Sequence, residues 1–280
     1  MTEIPIQNPA SVLVDAHVHF HDCFSWEVFL NAAAANFALA RRELAVGNDS
    51  PGCMMLTESA GVNYFCALVN EPKLVSSFGW RVTATGEDCS VLLTSAERDT
   101  IIVVAGRQIV TAESLEVLAL GTTEEVPDGR AIREVLDAVV NLNATAVVPW
   151  GFGKWWGRRS RIVTGMLLFN TGLRIFLGDN GGRPTLSMRP RLFSLGEAKG
   201  VFVLPGSDPL PFADHAGRAG RYGFVLNQRI SLEHPYETIR AGLRGLTASP
   251  RVFGRREGLA RFAVSQFRMQ LRKGHRTSQR

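Results

Sequence analysis

The residues with the most specific chemistry are Asp15, His17 and His19, which alternate with apolar residues near the amino terminus. They follow an apolar run that begins at Val12. Side chains two residues apart point to the same side of a β-strand, so a strand here would bring the three polar groups together where it ends. Imidazole and carboxylate groups at this spacing suit a divalent metal ion better than a hydrophobic core. The alternative is a strand end whose histidines only form hydrogen bonds with their neighbours.

The composition allows a large hydrophobic core. The chain has 280 residues, 45% of them hydrophobic, which fits one large α/β domain or two small ones. No apolar run reaches the roughly 18 residues of a membrane-spanning helix, and the first residues lack the pattern of a secretory signal. The four cysteines are scattered, which argues against a disulfide framework or a cysteine zinc site. We therefore expect a cytoplasmic protein.

Apolar runs alternate with helical patterns along most of the chain, which indicates parallel βα units. We expect a single irregular (β/α) barrel of the TIM type with about seven strands, a small antiparallel β segment around residues 80–120, and helices at the carboxyl end. A doubly wound open sheet is the alternative. Neither a glycine-rich dinucleotide fingerprint after a strand nor a Walker A motif occurs, which argues against nucleotide binding.

Polar residues recur at the ends of the predicted strands. Beyond the opening motif, these ends carry Glu58, Gln108, Asp179, Asn180, Ser207 and Asp208. In a barrel all of them would meet on the carboxyl-terminal face, where active sites are built. Gly-Ser-Asp and Gly-Asp-Asn are also ordinary turn sequences, but the recurrence of polar residues at the strand ends predicts a shared site.

A glycine-rich loop with four cations and two tryptophans, residues 151–161, follows one of these strands. Guanidinium groups bind phosphate or carboxylate in a bidentate manner, so we expect the loop to hold an anionic substrate. Core packing of the tryptophans and a solvated helix start are the alternatives. The candidate substrate-binding residues are Trp150, Lys154, Arg158, Arg159, Arg183, Gln108 and Asn180.

Positive charge is concentrated at the carboxyl end. The net charge is +5, yet residues 251–280 hold eight arginines and one lysine against one glutamate. We therefore divide the chain into a body, residues 1–250, and a basic segment, residues 251–280. The segment predicts an amphipathic helix with an apolar stripe opposite a basic one. The apolar stripe is Leu259, Phe262, Ala263, Phe267 and Leu271.

The basic stripe of this helix is Arg261, Ser265, Arg268 and Arg272. We expect the apolar stripe to dock on the body and leave the basic stripe in solvent. Peripheral contact with an anionic membrane surface is the alternative that we keep open. The sequence has no motif of a known nucleic-acid-binding module, which argues against DNA or RNA as the partner.

Several stretches resemble a known family. The D-x-H-x-H pattern of residues 15–19 is similar to the opening of metal-dependent hydrolases, both the amidohydrolases and the PHP (polymerase and histidinol phosphatase) family. Further stretches resemble the PHP pattern in particular, across residues 12–225. These stretches are residues 56–59, 106–109, 116–121, 148–151 and 206–208.

The resemblance implies a metal-dependent hydrolase with a reduced metal site. Where that family has further metal ligands, this chain has Ser59, Gln108, Val148 and Leu210. The resemblance therefore implies one divalent ion, zinc or manganese, held by His17, His19 and Asp208, with Glu58 or Asp179 as a further ligand. Asp208 or Glu58 would act as the general base.

The expected function is hydrolysis of a small anionic molecule, in the manner of a phosphoesterase, by a metal-activated water. Two alternatives remain open. One is an amidohydrolase-type enzyme that cleaves a C–N or C–O bond. The other is a degenerate PHP-like binding protein without catalysis, because several ligand positions are altered.

Overall fold

A computed structural model describes residues 9–97, 99–169 and 172–277 of the chain. The helices in these ranges are α1 (Trp26–Leu44), α2 (Tyr64–Asn70), α3 (Lys73–Ser76), α4 (Ile132–Asn141), α5 (Arg158–Leu168), α6 (Arg191–Ala198), α7 (Pro235–Arg244) and α8 (Leu259–Thr277), with a 3-10 turn at Ala213–Arg218. The strands are β1 (Val12–Val18), β2 (Gly52–Leu56), β3 (Trp80–Ala84), β4 (Ser90–Ser95), β5 (Thr100–Val104), β6 (Gly106–Val110), β7 (Glu116–Leu120), β8 (Thr145–Pro149), β9 (Ile175–Asn180), β10 (Val203–Gly206), β11 (Tyr222–Leu226) and β12 (Val252–Gly254).

These strands form two mixed sheets. The first has the order β12-β11-β1-β2-β5-β4-β3, and the second has the order β10-β9-β8-β7-β6. In the first sheet β1, β2 and β5 are parallel neighbours, whereas β11 and β4 run antiparallel to them. In the second sheet β8, β9 and β10 are parallel, and β6 and β7 add antiparallel pairs. The antiparallel pairing expected around residues 80–120 is therefore divided between the two sheets.

The predicted single (β/α) barrel is wrong, because the two sheets do not close into one ring. A strand has two edges, and β1 pairs with β2 along one edge and with antiparallel β11 along the other, at Val12–Val14. Beyond that point the segment after β10 is joined to β1 by a main-chain hydrogen bond, in which the N–H of Asp208 donates to the carbonyl of His17 at 2.8 Å. Glu58 makes another short main-chain contact, with the start of β6.

Apolar side chains hold the two sheets and their helices together. The layer between the sheets contains Val14, Ala16, Met55, Leu118, Val147 and Leu204. Helix α1 covers the outer face of the first sheet, and α4 to α6 cover the second. The buried face of α4 consists of Ile132, Val135, Leu136 and Val139. This packing brings the carboxyl ends of β1 and β10 side by side.

Helix α8 packs with a different face from the one that we predicted. Leu259, Phe267 and Leu271 are all more than half exposed, whereas Ser265 is buried. Arg268 Nη1 lies 2.9 Å from a carboxylate oxygen of Asp214, so a residue of the basic stripe faces the body. The docking contacts are therefore largely polar, and most of the apolar stripe is left in solvent. In the described ranges, no helix has both the length and the hydropathy that crossing a bilayer requires.

Candidate metal centre at the junction of the sheets

The side chains of His17, His19 and Asp208 converge where the two sheets meet. The Nε2 atoms of the histidines lie 3.1 Å apart, and Asp208 Oδ1 lies 3.6 Å from that of His17 and 3.7 Å from that of His19. Ligand atoms around a tetrahedral zinc ion, with bonds of about 2.0–2.2 Å, are roughly 3.4 Å apart. The three side chains are at most 17% exposed. This spacing fits a single metal ion held by two imidazoles and one carboxylate.

The surroundings of the cluster favour the protonation states that metal ligands need. Burial, together with the neighbouring His17, lowers the pKa of His19 to about 3. Burial opposes ionisation of Asp208, but His17 and His19 outweigh it and hold the pKa of Asp208 below its ordinary value. At neutral pH the cluster therefore contains a neutral His19 and an ionised Asp208, which are the forms that bind metal ions.

Asp15 anchors the cluster and is not one of its converging groups. Its carboxylate is fully buried and accepts the backbone N–H of Ser207 at 2.8 Å and that of Gly220 at 2.9 Å. It also accepts the N–H of His17 at 3.3 Å. Burial raises the pKa of Asp15 to about 7, although these hydrogen bonds oppose the rise. The side chain thus connects β1, which carries the histidines, to the segment that carries Asp208.

Two backbone features keep Asp208 beside the histidines. A Cβ atom at Gly206 would lie 2.4 Å from the backbone nitrogen of His17, so glycine permits the close approach of β10 to β1. Asp208 itself has a φ of 49°, in the left-handed region that non-glycine residues seldom adopt. Such conformations cluster at functional sites because the surrounding structure has to maintain them.

Asp179 and Arg183, predicted as a metal ligand and a substrate-binding residue, bind each other instead. Arg183 donates from Nε to Asp179 Oδ1 and from Nη2 to Asp179 Oδ2, both at 2.7 Å. The Tyr222 hydroxyl also donates to Asp179 Oδ2 at 2.8 Å. Both charged residues are buried, and the structure leaves neither of them free for a metal ion or a substrate.

Asn180 connects the buried pair of Asp179 and Arg183 to the candidate metal cluster. The Asp179 carboxylate accepts its backbone N–H at 3.0 Å, and Asn180 Nδ2 donates to Asp208 Oδ2 at 2.6 Å. One oxygen of Asp208 is therefore held by Asn180, while the other faces the histidines. The side-chain oxygen of Asn180 is buried and has no hydrogen-bond partner in the described structure.

Glu58 lies outside the cluster, although the sequence suggested it as a ligand and base. Its Oε1 accepts the backbone N–H of Phe65 at 2.8 Å, and its Oε2 lies 3.4 Å from Arg107 Nη1. Burial raises the pKa of Glu58, and Arg107 partly opposes the rise. Arg107, which we did not single out from the sequence, also donates to the carbonyl of Val62 at 2.6 Å.

A cavity of about 170 Å³ adjoins Asp208. Three of the predicted substrate-binding residues line it, namely Trp150, Lys154 and Asn180. Lys154 forms an ion pair with Glu116 and lies near enough to the cluster to lower the pKa of both Asp208 and His19. The cavity thus has an ionised carboxylate and a cation on its walls.

The remaining predicted substrate residues do not line this cavity. Arg158 is exposed at the start of α5, and Arg159 Nη2 donates to the carbonyl of Gly153 at 2.8 Å. Gln108 lies in β6, where its N–H donates to the carbonyl of Glu58 at 2.9 Å.

Helix α8 forms the other wall of the cavity, which the sequence did not predict. Its contribution consists of Phe262, Ser265, Gln266, Met269 and Gln270. The Phe262 ring lies against that of Phe152, with centroids 5.2 Å apart. Because this part of α8 interleaves polar and apolar residues, only the three-dimensional packing shows that it faces the cluster.

Comparison with known proteins gives a likeness of fold. No protein-family model matches the chain, and no curated protein sequence does. Among solved structures, PsfC from Pseudomonas syringae is similar, with a TM-score of 0.57, 12% identity, and coverage of 93% of this chain and 99% of that one. The lesion-specific endonuclease PfuEndoQ from Pyrococcus furiosus is similar with a TM-score of 0.51 and 10% identity, over 84% of this chain and 56% of that one. The chain thus has a fold related to those of PsfC and PfuEndoQ.

Proposed function

We propose that this protein is a metal-dependent hydrolase that cleaves a phosphoester in a small anionic substrate. The observation that carries the proposal is the convergence of His17, His19 and Asp208 beside a cavity whose lining includes the cation of Lys154. Two imidazoles and a carboxylate suit zinc or manganese better than magnesium. The altered ligand positions and the engagement of Glu58 and Asp179 elsewhere support a single ion.

Each residue of the site has a separate task in this proposal. His17, His19 and Asp208 would hold the metal ion, which would supply a nucleophile by lowering the pKa of a water at the site. Asp208 would also serve as the proton acceptor, with its carboxylate kept in place by the amide of Asn180. Lys154 attracts the anionic group of the substrate and offsets the charge that develops on it.

The cavity favours a small substrate. Its volume of about 170 Å³ is below the roughly 300–1,000 Å³ of pockets that hold drug-sized ligands. Helix α8 forms one wall of this cavity. PfuEndoQ, which has a similar fold, is an endonuclease, and endonucleases cleave phosphodiesters. Phosphoesters are therefore the first substrates to test.

A substrate panel tests this proposal. The purified chain, loaded with zinc or manganese, is assayed against small phosphomonoesters, phosphodiesters, amides and lactones. We expect turnover of a phosphoester, and loss of about 100-fold or more in kcat/KM for Asp208→Asn. The matched control Asp88→Asn, at an exposed position away from the cavity, should retain full activity.

Two results would contradict the proposal in different ways. A clear preference for amides or lactones would favour an amidohydrolase-type enzyme. A chain that holds the metal ion yet turns over no member of the panel would favour a binding protein.

A further inference from the structure

A second cavity, of about 470 Å³, lies between the Ala213–Arg218 turn and α8. Four arginines line it, namely Arg218, Arg221, Arg261 and Arg268. Two of them come from the turn and the residues after it, and the other two come from α8. The volume is within the usual range for a small-molecule site.

Acidic side chains neutralise only part of the positive charge of these four arginines. Arg268 pairs with Asp214 at 2.9 Å, and Arg218 Nη1 pairs with Glu257 Oε2 at 2.6 Å. In the described part of the chain, the guanidinium groups of Arg221 and Arg261 have no hydrogen-bond or ion-pair partner. Two positive charges therefore remain unpaired beside two paired ones.

The arginines are close enough to affect one another. Burial lowers the pKa of Arg218, Glu257 opposes this effect, and Arg221 and Arg261 lower the pKa further. Like charges at this proximity repel, and a bound anion would remove the repulsion.

The paired arginines are also held in place. The Arg268 guanidinium lies 3.9 Å from the centroid of the Phe212 ring, and the Arg218 side chain is only 14% exposed. Cations fixed in this way lose little conformational entropy when they bind a ligand.

We propose that this cavity is an anion site that binds the phosphate group of a small phosphorylated molecule, or inorganic phosphate. Guanidinium groups match the oxygens of phosphate in bidentate hydrogen bonds. The site is distinct from the metal centre, but Arg218 and Ser265 line both cavities. The proposal goes beyond the hydrolase function and does not depend on it.

Calorimetric titration of the full chain with inorganic phosphate tests the proposal, in a buffer with a chelator so that no metal ion contributes. The double variant Arg221→Gln/Arg261→Gln should bind phosphate at least tenfold more weakly. It should fold normally, because neither side chain makes an ion pair within residues 9–97, 99–169 and 172–277. The free energy of unfolding, measured without phosphate, checks this. The control Arg81→Gln/Arg229→Gln removes the same charge from two exposed positions outside the cavity and should bind like the natural chain.

A second titration distinguishes the sources of the phosphate group. Binding of glucose 6-phosphate that is tighter than that of inorganic phosphate would indicate a phosphorylated small molecule, and equal or weaker binding would indicate free phosphate. The proposal is overturned if the natural chain does not bind phosphate, if the double variant binds as well as the control, or if only a DNA duplex binds. Metal content measured on the same variants should not change, so failure here is distinguishable from failure of the hydrolase proposal.

Discussion

The buried pair of Asp179 and Arg183 provides a quantitative test of the structure. The two residues are 6% and 4% exposed, and their side chains share two hydrogen bonds of 2.7 Å. Removal of one partner leaves a buried charge without compensation, which typically costs about 3–5 kcal/mol. We expect Arg183→Gln to lower the free energy of unfolding by this amount in urea denaturation. The hydrogen bond from Tyr222 to Asp179 remains in the variant, so we expect a loss of stability near the lower end of this range.

An exposed pair in the same chain is the matched control. Arg133 and Asp137 have the same spacing of four residues but are about half exposed, so Arg133→Gln should cost only about 0.3–0.5 kcal/mol. The double variant Asp179→Asn/Arg183→Gln should cost less than the sum of the single variants by about 0.5–3 kcal/mol. The reasoning is refuted if the single variants are additive, or if Arg183→Gln weakens substrate or metal binding without a loss of stability.

Three further predictions concern positions around the site. Asp15→Asn replaces an acceptor by a donor opposite a backbone N–H and should cost about 1–3 kcal/mol in urea denaturation; an unchanged stability would mean that the carboxylate is not the anchor between the sheets. Burial, together with Arg218, lowers the pKa of His215 to about 4. The contribution of neutral His215 to the free energy of unfolding should therefore be complete above about pH 6.5 and disappear as the pH falls towards 4. His215→Gln should flatten the dependence of stability on pH in this window, and an unchanged dependence would contradict the lowered pKa of His215. Peripheral contact of the basic helix with an anionic membrane was the alternative that we kept open, and we propose that the exposed apolar stripe of α8 would take part in it. Phe267→Ser should then reduce sedimentation with vesicles rich in phosphatidylserine, and equal sedimentation of both chains would argue against this contact.

The histidine pair of the candidate metal cluster was predictable because its signal is local. The alternation of His17 and His19 at the end of β1 determines that their side chains share a face. Asp208 lies far along the chain, and it was included because of the resemblance of residues 206–208 to a family motif and because the strand ends were expected to meet. The structure brings the three side chains together, while their role as metal ligands stays a prediction.

The closure of the sheets was not predictable from these patterns. Periodicity identifies a strand but does not determine which edge of it a distant strand will use. Here β11 returns antiparallel to β1 and occupies the edge that a barrel would need for β10. The same limit applies to Asp179 and Arg183, since a carboxylate after a strand reads equally as a metal ligand or as the partner of an arginine four residues later.

The sequence did not determine which face of α8 packs against the body, because the choice depends on the residues that surround the helix. A helix with both an apolar and a basic stripe can pack through either one, and the choice depends on the surface that it meets. That surface includes the Asp214 carboxylate and the carbonyl of Pro211, to which Arg268 and Arg272 donate. These acceptors favour the basic face.

Metal content is the measurement that tests the central claim most directly. The chain is purified without chelator, equilibrated with zinc or manganese, and analysed for bound metal. We predict about one ion per chain, and about a tenth of that or less for Asp208→Ala and for His17→Ala, with the control Asp88→Asn unchanged. A natural chain without bound metal, or variants that bind as much as the natural chain, would contradict a metal centre formed by His17, His19 and Asp208.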